Sequence, residues 1–198
     1  MYYYPNRPTL IPPDPKDPLN PKPDYINGLE ASGKYVAEQK WNGDNCLIYT
    51  GDCPEFWNRH KTRLTYQPSP EVKDELKRWP QGCIINAELI HNKSKTIKHL
   101  FIVHCIMQWQ GQLLIGKTWG DSRKILDDCI ALGLSGEHVQ ISKVWQSGFW
   151  DLFKAADGTT IEGIILKNPE GRFQYSTTPL ADVSWMLKIR KPCKKYSF

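Results

Sequence analysis

Apolar and polar positions alternate through Tyr35, Ala37 and Gln39, and a β-prone run, Cys46-Leu47-Ile48-Tyr49, follows after six intervening residues. The stretch between them, Lys40-Trp41-Asn42-Gly43-Asp44-Asn45, is therefore predicted to be the tight turn of a hairpin. Glu55 to Leu64 mixes aromatic and basic residues in a way that suits phosphate contacts flanked by a packed strand, and equally an amphipathic edge strand. Cys83 to Leu89 and Leu100 to Trp109 read as buried strands, the second turning through Gln110-Gly111 into Gln112 to Ile115. Glu162 to Lys167 and Ser184 to Lys191 are the last two strands. Helices are predicted at Tyr25 to Ala31, before Gly33, and from Ser69 as N-cap with Pro70 at the first helical position, ending at Trp79 because Pro80 follows. Two more run from Asp121 to Leu132, stopped by Gly133, and from Gly148 to Ala156, capped by Ser147. Short strands interleaved with a few helices imply an α+β fold.

Composition narrows this pattern without redirecting it. A length of 198 residues with 40% hydrophobic content supports one core, at most with a small appendage. The first 23 residues hold eight prolines, which exclude helix and sheet interior, so residues 1–24 are expected to form an extended arm and 25–198 the domain. No apolar run reaches the length of a spanning helix, and Met1-Tyr2-Tyr3-Tyr4-Pro5 lacks the order of a signal peptide, so no membrane partner is expected. Six cysteines without a Cys-x-x-Cys pair imply a reduced, cytoplasmic protein without structural zinc. A net charge of +5 suits a polyanionic partner and equally an ordinary soluble enzyme.

The charged residues that break apolar strands or sit at their ends carry the chemistry. Glu88 closes an otherwise apolar run, and an unpartnered carboxylate there would cost about 2 to 7 kcal/mol to desolvate. Glu162 and Lys167 are five apart, hence on opposite faces unless the strand bends, whereas Lys188 and Arg190 are two apart and share a face. Taken alone, the Lys40 turn reads as an Asn-Gly hairpin with a solvated lysine. Together with Arg59, Glu88, Glu162, Lys167, Lys188 and Arg190 it becomes a mixed set of cations and carboxylates suited to a nucleoside triphosphate with Mg²⁺. A lysine nucleophile within such a set points to nucleotidyl transfer through attack on the α-phosphate.

These residues also fall in ordered motifs. Lys40-Trp41-Asn42-Gly43 resembles the Lys-x-Asp-Gly nucleophile motif of the covalent nucleotidyltransferases, the superfamily of ATP-dependent DNA ligases, RNA ligases and mRNA capping enzymes. Asn58-Arg59-His60-Lys61, Ala87-Glu88-Leu89, Phe101 to Ile106, Glu162 to Lys167 and Trp185 to Arg190 are similar to its following motifs in order and spacing, across roughly residues 34 to 191. The resemblance implies an ATP-grasp-like ligase domain of antiparallel sheets flanked by helices, with the family's usual OB-fold domain not evident in this sequence. It implies catalytic roles for Lys40, Lys188 and Arg190. Nucleotide-binding roles fall to Glu38, Asn45, Arg59, Glu88, His104 (at the adenine-stacking position) and Lys167, and a metal role to Glu162. ATP and Mg²⁺ are the implied cofactors. A nicked nucleic-acid duplex is the implied partner, bound by a monomer, with a clamp partner supplied in trans as an option. Asn45 stands where RNA ligases also have Asn and DNA ligases generally have Arg, while Gly111 to Leu126 is more like the DNA ligase segment. DNA nick sealing is slightly favoured. An RNA ligase or capping-type transferase, and a nucleotide- or nucleic-acid-binding protein without turnover, stay open.

Overall fold

The structure is a computed structural model that describes residues 2–11, 22–174, 178–179 and 182–191. Pro12 to Pro21, most of the expected arm, and Cys193 lie outside the described residues. The chain divides into two compact units, one of Met1–Asn6, Gly43–Ser142 and Arg172–Leu180, the other of Arg7–Asn42, Lys143–Gly171 and Ala181–Phe198.

The first unit is built on a sheet whose strands run β4 (Glu55–Asn58), β3 (Asp44–Tyr49), β5 (Ile84–Ile90), β6 (Leu100–Trp109) and β7 (Gln112–Leu113), with β8 (Val139–Ile141) pairing parallel to β6. Its long strands are apolar on both faces, and Leu47, Ile48, Ile85, Ala87, Phe101, Val103, Ile106 and Met107 are all buried. Helix α2 (Pro70–Lys77) starts as its sequence demands, with Ser69 Oγ accepting from Val72 N. Helix α3 (Trp119–Ala131) packs on β6 and starts earlier than expected. Thr118 and Asp121 form a reciprocal capping box, so Asp121 is its third helical residue and not its first.

The second unit has a four-stranded sheet in the order β1 (Arg7–Leu10), β10 (Asp182–Arg190), β9 (Ile161–Lys167), β2 (Val36–Trp41). Only β1 runs parallel to its neighbour. Residues from the predicted arm thus form an edge strand, where proline is tolerated. One face of this sheet buries Ala37, Ile164, Leu166, Leu187 and Ile189 against Ile26 of α1 (Pro23–Ala31) and Phe149 and Phe153 of α4 (Phe149–Ala155). Helix α4 is not capped by a serine. Gly148 is its N-cap, with φ of 75°, and the carboxylate of Glu30 on α1 takes the Gly148 and Phe149 amides at 2.8 Å each.

The expected hairpin at Lys40–Asn45 does not form. β2 pairs with β9, whereas β3 pairs with β4 and β5, so the stretch carries the chain from one sheet to the other. The division between the units falls between Asn42 and Gly43. A β-prone run on each side of a glycine is the local signature of a hairpin, and choice of partner strand overrode it.

Candidate active site

The face of the second unit's sheet opposite its core is charged, and the register explains why. Lys167 pairs with Val36 and Met186, Ile165 with Glu38 and Lys188, and Gly163 with Lys40 and Arg190. Directly opposed residues project to the same side, so Glu38, Lys40, Lys167, Lys188 and Arg190 share that face. By alternation alone Glu162 would face away. The ladder passes from Lys40 opposite Gly163 to Trp41 opposite Ile161, leaving Glu162 as the extra residue of a bulge that turns its carboxylate to the charged side. Gly163 is required beside it: its φ is +152°, and a Cβ there would lie 2.1 Å from Ile189 O.

Glu162 Oε2 accepts from Lys40 Nζ at 2.5 Å and lies 3.3 Å from Arg190 Nε. Lys167 Nζ donates to Glu38 Oε1 at 2.7 Å, the two side chains being 5% and 1% exposed. Lys188 Nζ is 3.7 Å from Asp182 Oδ2. Burial is the first cause that pulls the Lys188 pKa below its ordinary value; Asp182 acts against it, while Arg190, Arg7 and Lys40 reinforce it. The turn after α4 fixes the far end of β2. Asn42 donates through N and Nδ2 to Thr160 O and Thr159 O, and Asp157 Oδ1 accepts the amides of Thr159, Thr160 and Ile161. Burial works to raise the Asp157 pKa, but these amide bonds outweigh it and hold the carboxyl below its usual range.

The first unit holds a second polar set. Glu88 Oε1 accepts from Gly43 N at 2.9 Å, and Glu88 Oε2 is 3.9 Å from His104 Nε2. A Cβ on Gly43 would sit 2.7 Å from Glu88 Cγ and 2.5 Å from Leu89 O, so the glycine admits the carboxylate. Asn45 pairs opposite Glu88 and donates through Nδ2 to Asn86 Oδ1 at 2.8 Å. Its own Oδ1 is buried with no hydrogen-bond partner among the described residues. Arg59 lies in an exposed turn after β4, shaped by Asn58 Oδ1 accepting from His60 N and Thr62 N and by Lys61 at φ 61°. Among the described residues no group of three or more His, Cys, Asp or Glu side chains could hold a metal ion.

No protein-family model matches the chain, and no curated protein matches it. Solved structures do. The ligase domain of M. tuberculosis LigD superposes with a TM-score of 0.66 at 15% identity, covering 94% of this chain and 59% of that one. A Lig E DNA ligase, described as binding DNA with a minimal scaffold, gives 0.59 at 11% over 93% of this chain and 68% of the other. The ATP-dependent DNA ligase of bacteriophage T7, in complex with ATP, gives 0.56 at 14% over 94% and 68%. The fold is that of the adenylation domain of ATP-dependent DNA ligases. This chain spans about three-fifths of the LigD ligase domain.

Within the ligase fold, the second unit brings together Lys40, Glu162, Lys188 and Arg190 and joins Lys167 to Glu38. The first unit brings Glu88, His104 and Asn45 onto one sheet, with Arg59 at the turn beyond β4. Sequence reasoning missed Arg7, Asp182 and Asp157. None interrupts an apolar run, so the pattern that found the others passes over them. No helix among the described residues is long and apolar enough to cross a membrane.

Proposed function

We propose that this chain is an ATP-dependent polynucleotide ligase that works through a lysyl-AMP intermediate. The observation that carries the reading is the charged face of the second unit, where Lys40 and Arg190 meet one carboxylate, Glu162, and Lys188 shares their face beside Asp182, on a sheet whose other face is core. In this reading the Lys40 ammonium gives up its proton to solvent, and Glu162 beside it stays ionised. Nζ then attacks the α-phosphate of ATP, a P–N bond forms, the α–β phosphoanhydride breaks and pyrophosphate leaves. AMP passes from Lys40 to a 5′-phosphate, and a 3′-hydroxyl displaces it to seal the nick. Lys188 and Arg190 neutralise charge that builds on the phosphates, a role that depends on fixed position more than on affinity.

Mg²⁺ travels with the triphosphate, and a single carboxylate such as Glu162 suits an ion that takes its remaining ligands from phosphate oxygens and water. Glu88 and Asn45 take the ribose. The buried Asn45 Oδ1 is an acceptor that a hydroxyl would satisfy, and leaving it unmet costs about 1 to 3 kcal/mol. Glu38 and Lys167 in the second unit, and Arg59 and His104 in the first, are each assigned to nucleotide binding, with His104 against the base. DNA is the favoured substrate because the similar structures are DNA ligases. Asn45, which matches RNA ligases, favours the second reading of an RNA ligase or capping-type transferase.

Incubation with α-labelled ATP and Mg²⁺ followed by a denaturing gel tests the reading. Label stays on the wild-type chain and is lost in Lys40→Ala. A Lys40→Ala protein that still takes label overturns the assignment of the nucleophile, and a wild type that takes none leaves a binding protein without turnover. Ligation of nicked DNA against nicked RNA duplex then separates the two substrates.

A further inference from the structure

Strand β1 does something to β10 that ordinary pairing does not. Pro8 and Thr9 are consecutive, about 3.8 Å apart at Cα. They nevertheless pair with Val183 and Leu187, four residues apart, with the register shifting between them; a straight strand would separate those residues by about 13 Å. The register therefore skips Ser184 to Met186, and β1 ties the stretch at both ends. Thr9 Oγ1 donates to Val183 O at 2.9 Å, and Ile11 N donates to Lys188 O at 3.0 Å. Asp182 is thereby placed to span two cations six and more residues away. Its Oδ2 is 3.7 Å from Lys188 Nζ and its Oδ1 is 3.2 Å from Arg7 Nε. Lys188 is 17% exposed, Asp182 34% and Arg7 55%, so the chain of charges leads from solvent to the charged face.

We propose that Asp182, shared with Arg7 of the N-terminal strand, is a positioning residue for Lys188 and holds its ammonium on the charged face. The inference rests on the nucleotidyl-transfer reading only for the use made of Lys188.

The charged groups that share the face of Lys188 are Asp182 and Arg190 on its own strand, Arg7 on β1, Glu38 and Lys40 on β2, and Glu162 and Lys167 on β9. Burial and the neighbouring cations favour the neutral amine, while Asp182 favours the ammonium. The charge is lost as pH rises through the Lys188 pKa, so a step that needs it fails on the alkaline side. Asp182→Asn removes the carboxylate that favours the ammonium and should move that failure to lower pH. Arg7→Gln has the opposite sign: it removes a like charge and leaves Asp182 to Lys188 alone, so the alkaline limb moves to higher pH.

Two measurements read this. Lysines are reductively methylated with ¹³C, the Lys188 resonance is assigned through Lys188→Arg, and its titration is followed in wild type, Asp182→Asn, Arg7→Gln and Asp182→Glu. On unmethylated protein, the pH profile of self-adenylylation is taken for the same set. The expected result is a downward displacement of the midpoint in Asp182→Asn, an upward one in Arg7→Gln and near restoration in Asp182→Glu, with the alkaline limbs following. An unmoved midpoint, or both variants moving in the same direction, overturns the proposal. Arg7, being mostly exposed, is a variant that keeps the test alive if Asp182→Asn does not fold. Opposite displacements in a chain that takes no label uphold the positioning of Lys188 and overturn the nucleotidyl-transfer reading instead.

Discussion

Lys167 and Glu38 put two opposite charges inside the second unit's sheet. Their ion pair at 2.7 Å is almost completely shielded from water, and each of the two buried charges is tolerated because of the other. Lys167→Met removes the ammonium paired with Glu38 and is expected to cost about 3 to 5 kcal/mol, the usual penalty for breaking a buried pair. Glu38→Gln combined with Lys167→Met removes both charges and should recover much of that loss. Thermal unfolding of the two single variants and the double variant measures the coupling. Additive losses would mean that the pair is not coupled in the folded chain and that the two side chains act separately.

Among elements, the segment from β5 to β6 is joined through two histidines and a tyrosine. His99 N donates to His91 Nδ1 at 3.3 Å, which requires that nitrogen unprotonated, and Tyr66 Oη lies 2.8 Å from His99 Nδ1. Burial first, then His99 and Lys98, push the His91 pKa below its ordinary value. A base with a depressed folded pKa destabilises the fold fully below that pKa, and the penalty disappears as pH rises to the unfolded value of about 6.5. Amide exchange at Ile97 and His99, corrected for the intrinsic pH effect, should therefore quicken as pH falls below about 6.5, and His91→Gln should flatten the dependence. An equally steep dependence in His91→Gln would exclude the histidine as its source. Elements of this kind were legible to different degrees. Ser69-Pro70 announced α2, and the apolar runs of β5, β6, β9 and β10 announced themselves, because caps and periodicity are local. The partner of β2 was not legible: Val36 pairs with Lys167, far along the chain, and nothing within the Lys40–Asn45 stretch distinguishes a hairpin from a crossover. The same limit hid Asp182, whose ion pair with Lys188 closes across the stretch of β10 that the pairing with β1 skips. Lys40, Glu162, Lys188 and Arg190 were visible because charge on an apolar strand is conspicuous, although the bulge that turns Glu162 was not.

At the scale of the whole chain, 26 lysines and arginines exceed 21 acids by five, and the excess bears on the polyanion that the ligase reading requires. Arg59, Lys61 and Arg63 are all exposed on and beside the turn after β4. Arg63 lies 3.3 Å from Glu55, but the two side chains are 62% and 41% exposed, so the pair holds Arg63 only weakly against a competing phosphate. If about three to five phosphates are neutralised on binding, log affinity for a nicked duplex falls against log salt with a slope of roughly −3 to −4.5. Replacing Lys61 and Arg63 together with Ala should make that slope shallower by about 2, since each phosphate no longer neutralised accounts for close to one unit. Fluorescence anisotropy of a labelled nicked duplex between low and physiological salt measures both slopes. A flat wild-type response would show that duplex affinity does not come from phosphate neutralisation. A wild-type slope unchanged by the double substitution would assign the phosphates to other cations of the chain, away from the turn after β4.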